Sequence, residues 1–347
     1  MMARTVRFHE YGGADVLRIE DVEVGAPGPG ELLIRVDAIG LNRAEVLFRG
    51  GHYIEAVREF PARLGAEAAG VVEAFGAGVT GFHIGDAVSV VPAFSMNDHA
   101  VYAERAIVPA AAVVHRPEGL DAVAGAAVWM PYLTAYGALV EVGGMRAGDT
   151  VVLTAASSSV GLAAIRTARR VGAVPIATTR THAKKDALLK AGAAAVIVTE
   201  EEDVVERVRA LTGGRGAEFV FDAIAGPGVL DLAKVVAPGG TLFLYGALSG
   251  KVTPYPGFDL GMPALNIRTY TLHEVTTDPE RLRRAEAFVA SGLATGAFEP
   301  VVDRTFPLEE IADAHRYLEA GRQVGKIVVT VGTHTVGTHT DSDDAAV

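Results

Sequence analysis

Cysteine is absent from the 347-residue chain. Its absence excludes disulfides, thiolate-bound zinc, cysteine-held iron–sulfur clusters and thiol nucleophiles. An excess of positive charge is also missing: 31 Lys and Arg stand against 42 Asp and Glu, a formal net charge of −11. A chain of that sign repels nucleic-acid phosphates and anionic lipid, so neither is an expected partner. A local basic patch remains able to hold an anion. The opening residues, from Met1 to Glu10, lack the apolar core of a secretory signal. A cytoplasmic protein is the expectation. One uncharged run, residues 122–140, has the 19 residues needed to cross a bilayer. It contains Pro131, two Tyr and Thr134, and is expected to be a buried helix of a soluble fold.

Half the residues are hydrophobic and 40 are Gly. That composition and length predict about two domains with a large core. Residues 1 to about 125 read as mixed strands, such as 31–39 and 70–75, separated by Gly/Pro turns such as that at 25–30. They suggest a small antiparallel barrel. From Val151 strand-like runs alternate with helix-length segments. The strands fall at 151–155, 174–178, 195–198, 219–222 and 241–245. This alternation predicts a doubly wound parallel α/β sheet with right-handed crossovers. Mixed character returns near Pro263, with a strand at 266–273, helices near 279–291 and 308–321, and a strand at 325–331. The end carries a tandem Val-Gly-Thr-His-Thr repeat, expected to be a solvated tail, in which His334 and His339 are weak metal candidates.

Ligands of open α/β sheets bind beyond the carboxyl ends of the strands. The first strand ends in Ala155, Ala156, Ser157, Ser158, Ser159, Val160 and Gly161. Of the G-x-G-x-x-G fingerprint only Gly161 is kept, where helix and strand must pack closely. Backbone N–H groups at a helix start still favour a phosphate, and serine hydroxyls add donors. The second strand is followed by Thr179, Arg180, Thr181, His182, Ala183, Lys184 and Lys185. No ribose-binding carboxylate stands at that end, whereas an Arg can fork onto a 2′-phosphate. The cofactor is therefore expected to be NADPH, with Thr179, Arg180 and Lys184 near the phosphate. Small-residue turns at 222–226 and 246–250 place Ala223, Gly246, Ala247 and Leu248 at the same sheet edge, over the nicotinamide half.

With these motifs placed, residues 40–51 (GLNRAEVLFRGG), 65–72 (GAEAAGVV), 81–88 (GFHIGDAV), 133–137 (LTAYG) and 325–328 (GKIV) are jointly specific in order and spacing. The chain resembles the medium-chain dehydrogenase/reductase superfamily, and within it the zinc-free quinone oxidoreductase branch. The resemblance implies a Rossmann sheet inserted into a mixed, GroES-like β-barrel catalytic domain. Residues 1–125 would form its first part, 126–265 the NADP-binding domain, 266–331 its second part and 332–347 a disordered tail. Zinc members place Cys, His and Cys on the catalytic metal, where this chain has Asn42, Ala66 and Met130. None is a normal ligand of that set, so no metal is expected. Glu67 remains beside them.

The resemblance further implies hydride transfer from NADPH to a quinone or an α,β-unsaturated carbonyl, a small-molecule electron acceptor. Asn42 matches a pocket asparagine that donates to an enolate oxygen. Tyr53 matches a pocket tyrosine, and Thr134 a threonine against the nicotinamide. Lys326 lies in the last matching segment and is expected on the cofactor. Relatives include enoyl-thioester reductases and cofactor-binding proteins with little catalysis, which stay open as alternatives. Homodimers or homotetramers are expected.

Overall fold

The computed structural model describes residues 1–332; the repeat with His334 and His339 lies outside them. The first third of the chain contributes strands β1 (Met2–Phe8), β2 (Arg18–Glu23), β3 (Glu31–Gly40), β4 (Ala62–Arg63), β5 (Ala68–Phe75), β6 (Ala87–Val90), β7 (Arg105–Pro109) and β8 (Val113–His115), with helix α1 (Arg43–Arg49). Strands β1, β2 and β4 form a small sheet. The others enter a seven-stranded sheet in the order β15-β16-β3-β5-β6-β8, with β7 also on β3; its last strands are β15 (Val302–Pro307) and β16 (Lys326–Thr330). Strand β16 thus closes a sheet begun at Glu31, since its Val328, Val329 and Thr330 pair with Gly40, Ile39 and Ala38 of β3.

The uncharged run becomes helices α2 (Ala122–Gly125) and α3 (Trp129–Tyr136) and a π-helical stretch, Gly137–Val142. The span Ala122–Val142 is apolar enough to cross a membrane by composition, but 78% of it is buried inside the fold. Its side chains join the main core with Trp129, Leu133 and Leu139.

The alternating segment forms β9 (Thr150–Leu153), α4 (Ser159–Val171), β10 (Val174–Thr179), α5 (Lys185–Lys190), β11 (Ala195–Val198), α6 (Val204–Leu211), β12 (Ala217–Asp222), α7 (Val229–Lys234), β13 (Val236–Leu244) and β14 (Asn266–Thr269). These six strands pair in the order β11-β10-β9-β12-β13-β14, all parallel. That is the dinucleotide-binding order, reversing direction at β9. The central strand β9 is buried throughout, as expected of a strand covered on both faces.

One boundary differs from the sequence expectation. Residues 266–269 pair with β13 in the parallel sheet, with Thr241 opposite Asn266, so that sheet does not stop at 265. Helix α8 (His273–Thr276) and helix α9 (Pro279–Ala294) follow. Beyond α9, Phe298 stacks on Tyr132 of α3 at 4.4 Å between ring centres. The chain rejoins the mixed sheet only at β15, before the last helix, α10 (Ile311–Ala320). The pairing edge of β13 and the aromatic contact decide this allocation, and neither can be read from local pattern.

Gly161 explains the one retained fingerprint glycine. A Cβ there would stand 2.5 Å from the Ala156 Cα and carbonyl oxygen. Gly161→Ala should therefore lower stability by about 1–3 kcal/mol through overpacking, read as a lower urea midpoint at unchanged slope. An unchanged midpoint would mean that the α4–β9 packing is looser than these distances state.

Candidate active site

The site forms around one buried cation. Lys326, the first residue of β16, is 1% exposed, and its ammonium donates to Glu67 Oε2 and to Asn42 Oδ1, each at 2.5 Å. Glu67 is fully buried, and its other oxygen accepts from Met130 N at 2.9 Å, satisfying an orphan N–H at the start of α3. Asn42 is the N-cap of α1 in a reciprocal capping box with Glu45, whose Oε2 accepts from Asn42 N at 2.8 Å. Asn42 Nδ2 donates to Gly40 O at 3.1 Å and lies 3.4 Å from both Glu45 Oε1 and Glu67 Oε2. Gly40 lets the chain pass this close, since a Cβ there would be 2.9 Å from Glu67 Oε2 and from Lys326 Cε.

Two sequence expectations change here. Asn42 does not present a free donor: its amide faces inward, held on one side by Lys326 and on the other by Gly40 O. The Lys326 ammonium is spent on protein partners. A buried ammonium needs a counter-charge, and Glu67 with Asn42 supplies it. Glu45, which the sequence reading passed over, is fully buried. Its signal was the Asn-x-x-Glu spacing of a capping box. Burial pushes its carboxyl up to about 7, against the pull of Lys326.

Thr134 lies one turn into α3 and donates to Met130 O at 2.6 Å, which leaves its oxygen free as an acceptor. Tyr53 follows α1 and packs edge-on against Phe48 at 6.0 Å. Its hydroxyl has no hydrogen-bond partner among the described residues. Burial, with Glu45 and Glu55 nearby, pushes the phenol up to about 12, so it stays protonated.

The serine turn meets this knot directly. Ser157 O accepts from Gly325 N at 2.9 Å, and Ser158 bridges Gly325. Gly325 needs its φ of +104°, and a Cβ there would strike Val301 O. Ser158 is the N-cap of α4, accepting from Gly161 N at 3.1 Å, and Ser159 and Val160 begin the helix. Lys184 reaches across from the end of β10. Its ammonium donates to Gln323 O at 2.9 Å, Gly321 O at 3.0 Å and Ser157 Oγ at 3.3 Å. All three of its protons are committed, so Lys184 is a strut more than a free phosphate ligand. Burial and the nearby Arg180 lower its pKa. Arg180 is exposed and has no carboxylate partner among the described residues. Thr179 is buried, its hydroxyl 3.3 Å from Thr181 O.

The two small-residue turns lie against each other at the ends of β12 and β13. Leu248 N donates to Ala223 O at 3.1 Å, and a Cβ on Gly246 would come within 2.6 Å of that oxygen. Ala247 and Leu248 are exposed. Buried Asp222 organises the first turn, accepting from Thr154 Oγ1 at 2.5 Å, Ala225 N at 2.7 Å and Ile224 N at 3.0 Å. Tyr245 stacks on Phe221, and its buried hydroxyl lies near Ser158 and Asp222 without a geometric hydrogen-bond partner among the described residues. Neither Asp222 nor Tyr245 stood out in the sequence, because their work depends on neighbouring strands.

Comparison with known proteins agrees with this geometry. Residues 28–118 match the alcohol dehydrogenase GroES-like domain, and residues 159–291 match the zinc-binding dehydrogenase family. A quinone oxidoreductase of Pseudomonas aeruginosa is 33% identical over 94% of this chain and 99% of its own. The chain belongs to the medium-chain dehydrogenase/reductase superfamily, in its quinone oxidoreductase branch. A 2-haloacrylate reductase of Burkholderia is 31% identical, covering 94% of this chain and 99% of its own. The Escherichia coli quinone oxidoreductase, solved as a complex with NADPH, superposes with a TM-score of 0.87 at 28% identity, covering 94% of this chain and 99% of that one. The chain is thus an oxidoreductase by family, with a Rossmann sheet and a GroES-like part.

In this quinone oxidoreductase-like fold the Lys326–Glu67 pair should show strong coupling. Lys326→Met alone should cost about 3–5 kcal/mol, because Glu67 is left buried and unpaired. Adding Glu67→Gln should restore more than half of that loss in urea unfolding; simple additivity of the two losses would refute the pairing. Glu45 gives a pH signature. Its folded pKa of about 7 lies above the unfolded value, so its contribution is complete below about 4.5 and is lost as pH rises through 7. Glu45→Gln should flatten the fall in stability across that window, measured by unfolding at pH 5 and 7.5.

Proposed function

We propose that this protein is an NADPH-dependent, zinc-independent reductase that delivers hydride to a quinone or an α,β-unsaturated carbonyl. The observation that carries the reading is the Lys326 ammonium, seated on Asn42 and Glu67 where zinc relatives hold their metal. A second cation in that place would be repelled, and Ala66 offers no donor at all. The residues at these positions do not fit a catalytic zinc, and no step is derived through one.

They do fit a dinucleotide. Gly161 and Gly246 stand where a side chain would strike backbone, which lets the helix and the turns at the strand ends pack closely. The Ser157–Ser159 turn offers helix N-terminal N–H groups to a pyrophosphate. Arg180, without a carboxylate partner among the described residues, suits a 2′-phosphate, with Thr179 beside it and Lys184 bracing the turn. The buried Tyr245 hydroxyl and Gln323 Oε1, unpartnered among the described residues, are polar groups a bound cofactor could satisfy. The relative solved with NADPH supports the same choice.

When bound, the cofactor supplies the hydride. Charge then develops on the acceptor's carbonyl oxygen, and a proton must follow. Tyr53 is a donor without a partner among the described residues, and its protonated phenol is suited to stabilise that oxygen. Thr134 can accept from an amide and so hold a nicotinamide in register. Asn42 enters as a positioning residue, joining α1 to Lys326. A quinone and a haloacrylate are both electron-poor conjugated acceptors, so the names of the relatives favour that substrate class. The acidic chain favours a small molecule over nucleic acid or anionic lipid. The outer edge of β14 is unpaired among the described residues, which supports a homodimer or homotetramer built by edge pairing.

NADPH consumption should be measured with a quinone, an enone, a crotonyl thioester and a plain aldehyde. Turnover of the first two and not of the aldehyde is expected; failure of all four despite NADPH binding would defeat the reductase reading. Tyr53→Phe should lower kcat at least ten-fold with little change in NADPH affinity. Arg180→Ala should weaken NADPH by about 1.5–3 kcal/mol and NADH hardly at all, and equal weakening of both would remove Arg180 from the phosphate.

A further inference from the structure

A second charged site lies at the other end of α4. A groove of about 400 Å³ is lined by Arg166, Arg169, Arg170 and Lys190, with Glu299 as the acidic residue of its lining. In a chain of net charge −11, this is a local reversal of sign. Part of it has an ordinary cause. Helices α4, α5 and α9 all end near the groove, at Val171, Lys190 and Ala294, and each carboxyl end carries about half a negative charge. Three such ends offset about 1.5 charges at most. Four cations less Glu299 leave three positive charges, about twice what the helices neutralise.

The cations are also partly fixed in place. The Arg170 guanidinium lies 5.2 Å and 5.4 Å from the ring centres of Phe288 and Phe298. It donates to Ser291 Oγ at 2.7 Å and Thr295 Oγ1 at 3.2 Å. These contacts order it without cancelling its charge. Arg166 is held by Glu299 at 3.1 Å, yet its Nε–H is buried and has no acceptor among the described residues. Arg169 and Lys190 are exposed and have no carboxylate partner among the described residues. An ordered pair of guanidiniums and two exposed cations around one concavity match a compact anion of several charges. The volume lies within the usual range for small-ligand pockets.

We propose that this groove binds a small polyphosphate, free or as a nucleotide's phosphate chain, at a site separate from the dinucleotide. The 13 residues of α4 put it about 20 Å from the serine turn, so both sites can be filled together. The test is titration calorimetry of NADPH-saturated protein with inorganic tripolyphosphate at fixed ionic strength. The dinucleotide site is filled throughout and the reading needs no turnover, so its outcome is independent of the proposed reaction. One saturable site is expected, weakened at least ten-fold in Arg169→Ala/Lys190→Ala and less than two-fold in Arg180→Ala. ATP should bind within ten-fold of tripolyphosphate, and citrate at least ten-fold more weakly. Absence of saturable binding, competition with NADPH, loss in Arg180→Ala, or an unaffected double variant would each overturn the site. Citrate binding as tightly as tripolyphosphate would overturn the phosphate class.

Discussion

The buried contact between Lys326 and Glu67 is the constraint on which the site depends. Taking an ammonium and a carboxylate out of water costs several kcal/mol per ion, and only close geometry with further hydrogen bonds repays it. Both conditions are met. Lys326 has Asn42 as a second partner, and Glu67 has the Met130 N–H. Those four residues come from β16, the loop before β5, the start of α1 and the start of α3. The pair therefore ties the end of the chain, the mixed sheet and the helix leading to the parallel sheet into one arrangement. Its neighbour Gly325 carries the tie onward to the serine turn.

That arrangement divides the polar groups of the site into two kinds. Asn42, Glu45, Glu67, Lys184 and Lys326 have their hydrogen-bonding capacity spent inside the protein. They set positions and electrostatic sign. Tyr53, Arg180 and the hydroxyl of Tyr245 have donors to spare, and chemistry or ligand binding draws on such groups. The division follows from cost: an unpaired polar group sealed in the interior loses one to several kcal/mol, so a fold retains it chiefly where a ligand can meet it.

Much of the architecture was legible in the sequence because it rests on local periodicity. Five apolar strands alternating with helices announced the parallel sheet, and all five formed. The sixth strand, Asn266–Thr269, was seen as a strand but grouped with the second part of the catalytic domain, whereas it pairs with β13. Its four residues carry no mark of the partner they pair with, and the link from β13 is long and irregular. The uncharged run at 122–140 was correctly expected to be buried, but its break into α2, α3 and a π-helical stretch was not foreseen.

By itself the sequence determined the strand and helix alternation, the serine turn with its one obligatory glycine, the missing acid at the end of β10 and the missing cysteines. All of these depend on residue type and spacing along the chain. Only the tertiary structure decided which polar groups are free. Lys326 lies 284 residues from Asn42 and Lys184 lies 139 from Gln323, and whether a donor is spent depends on such distant partners. The basic groove is partly of the same kind, since Arg170 is ordered by Ser291, 121 residues away.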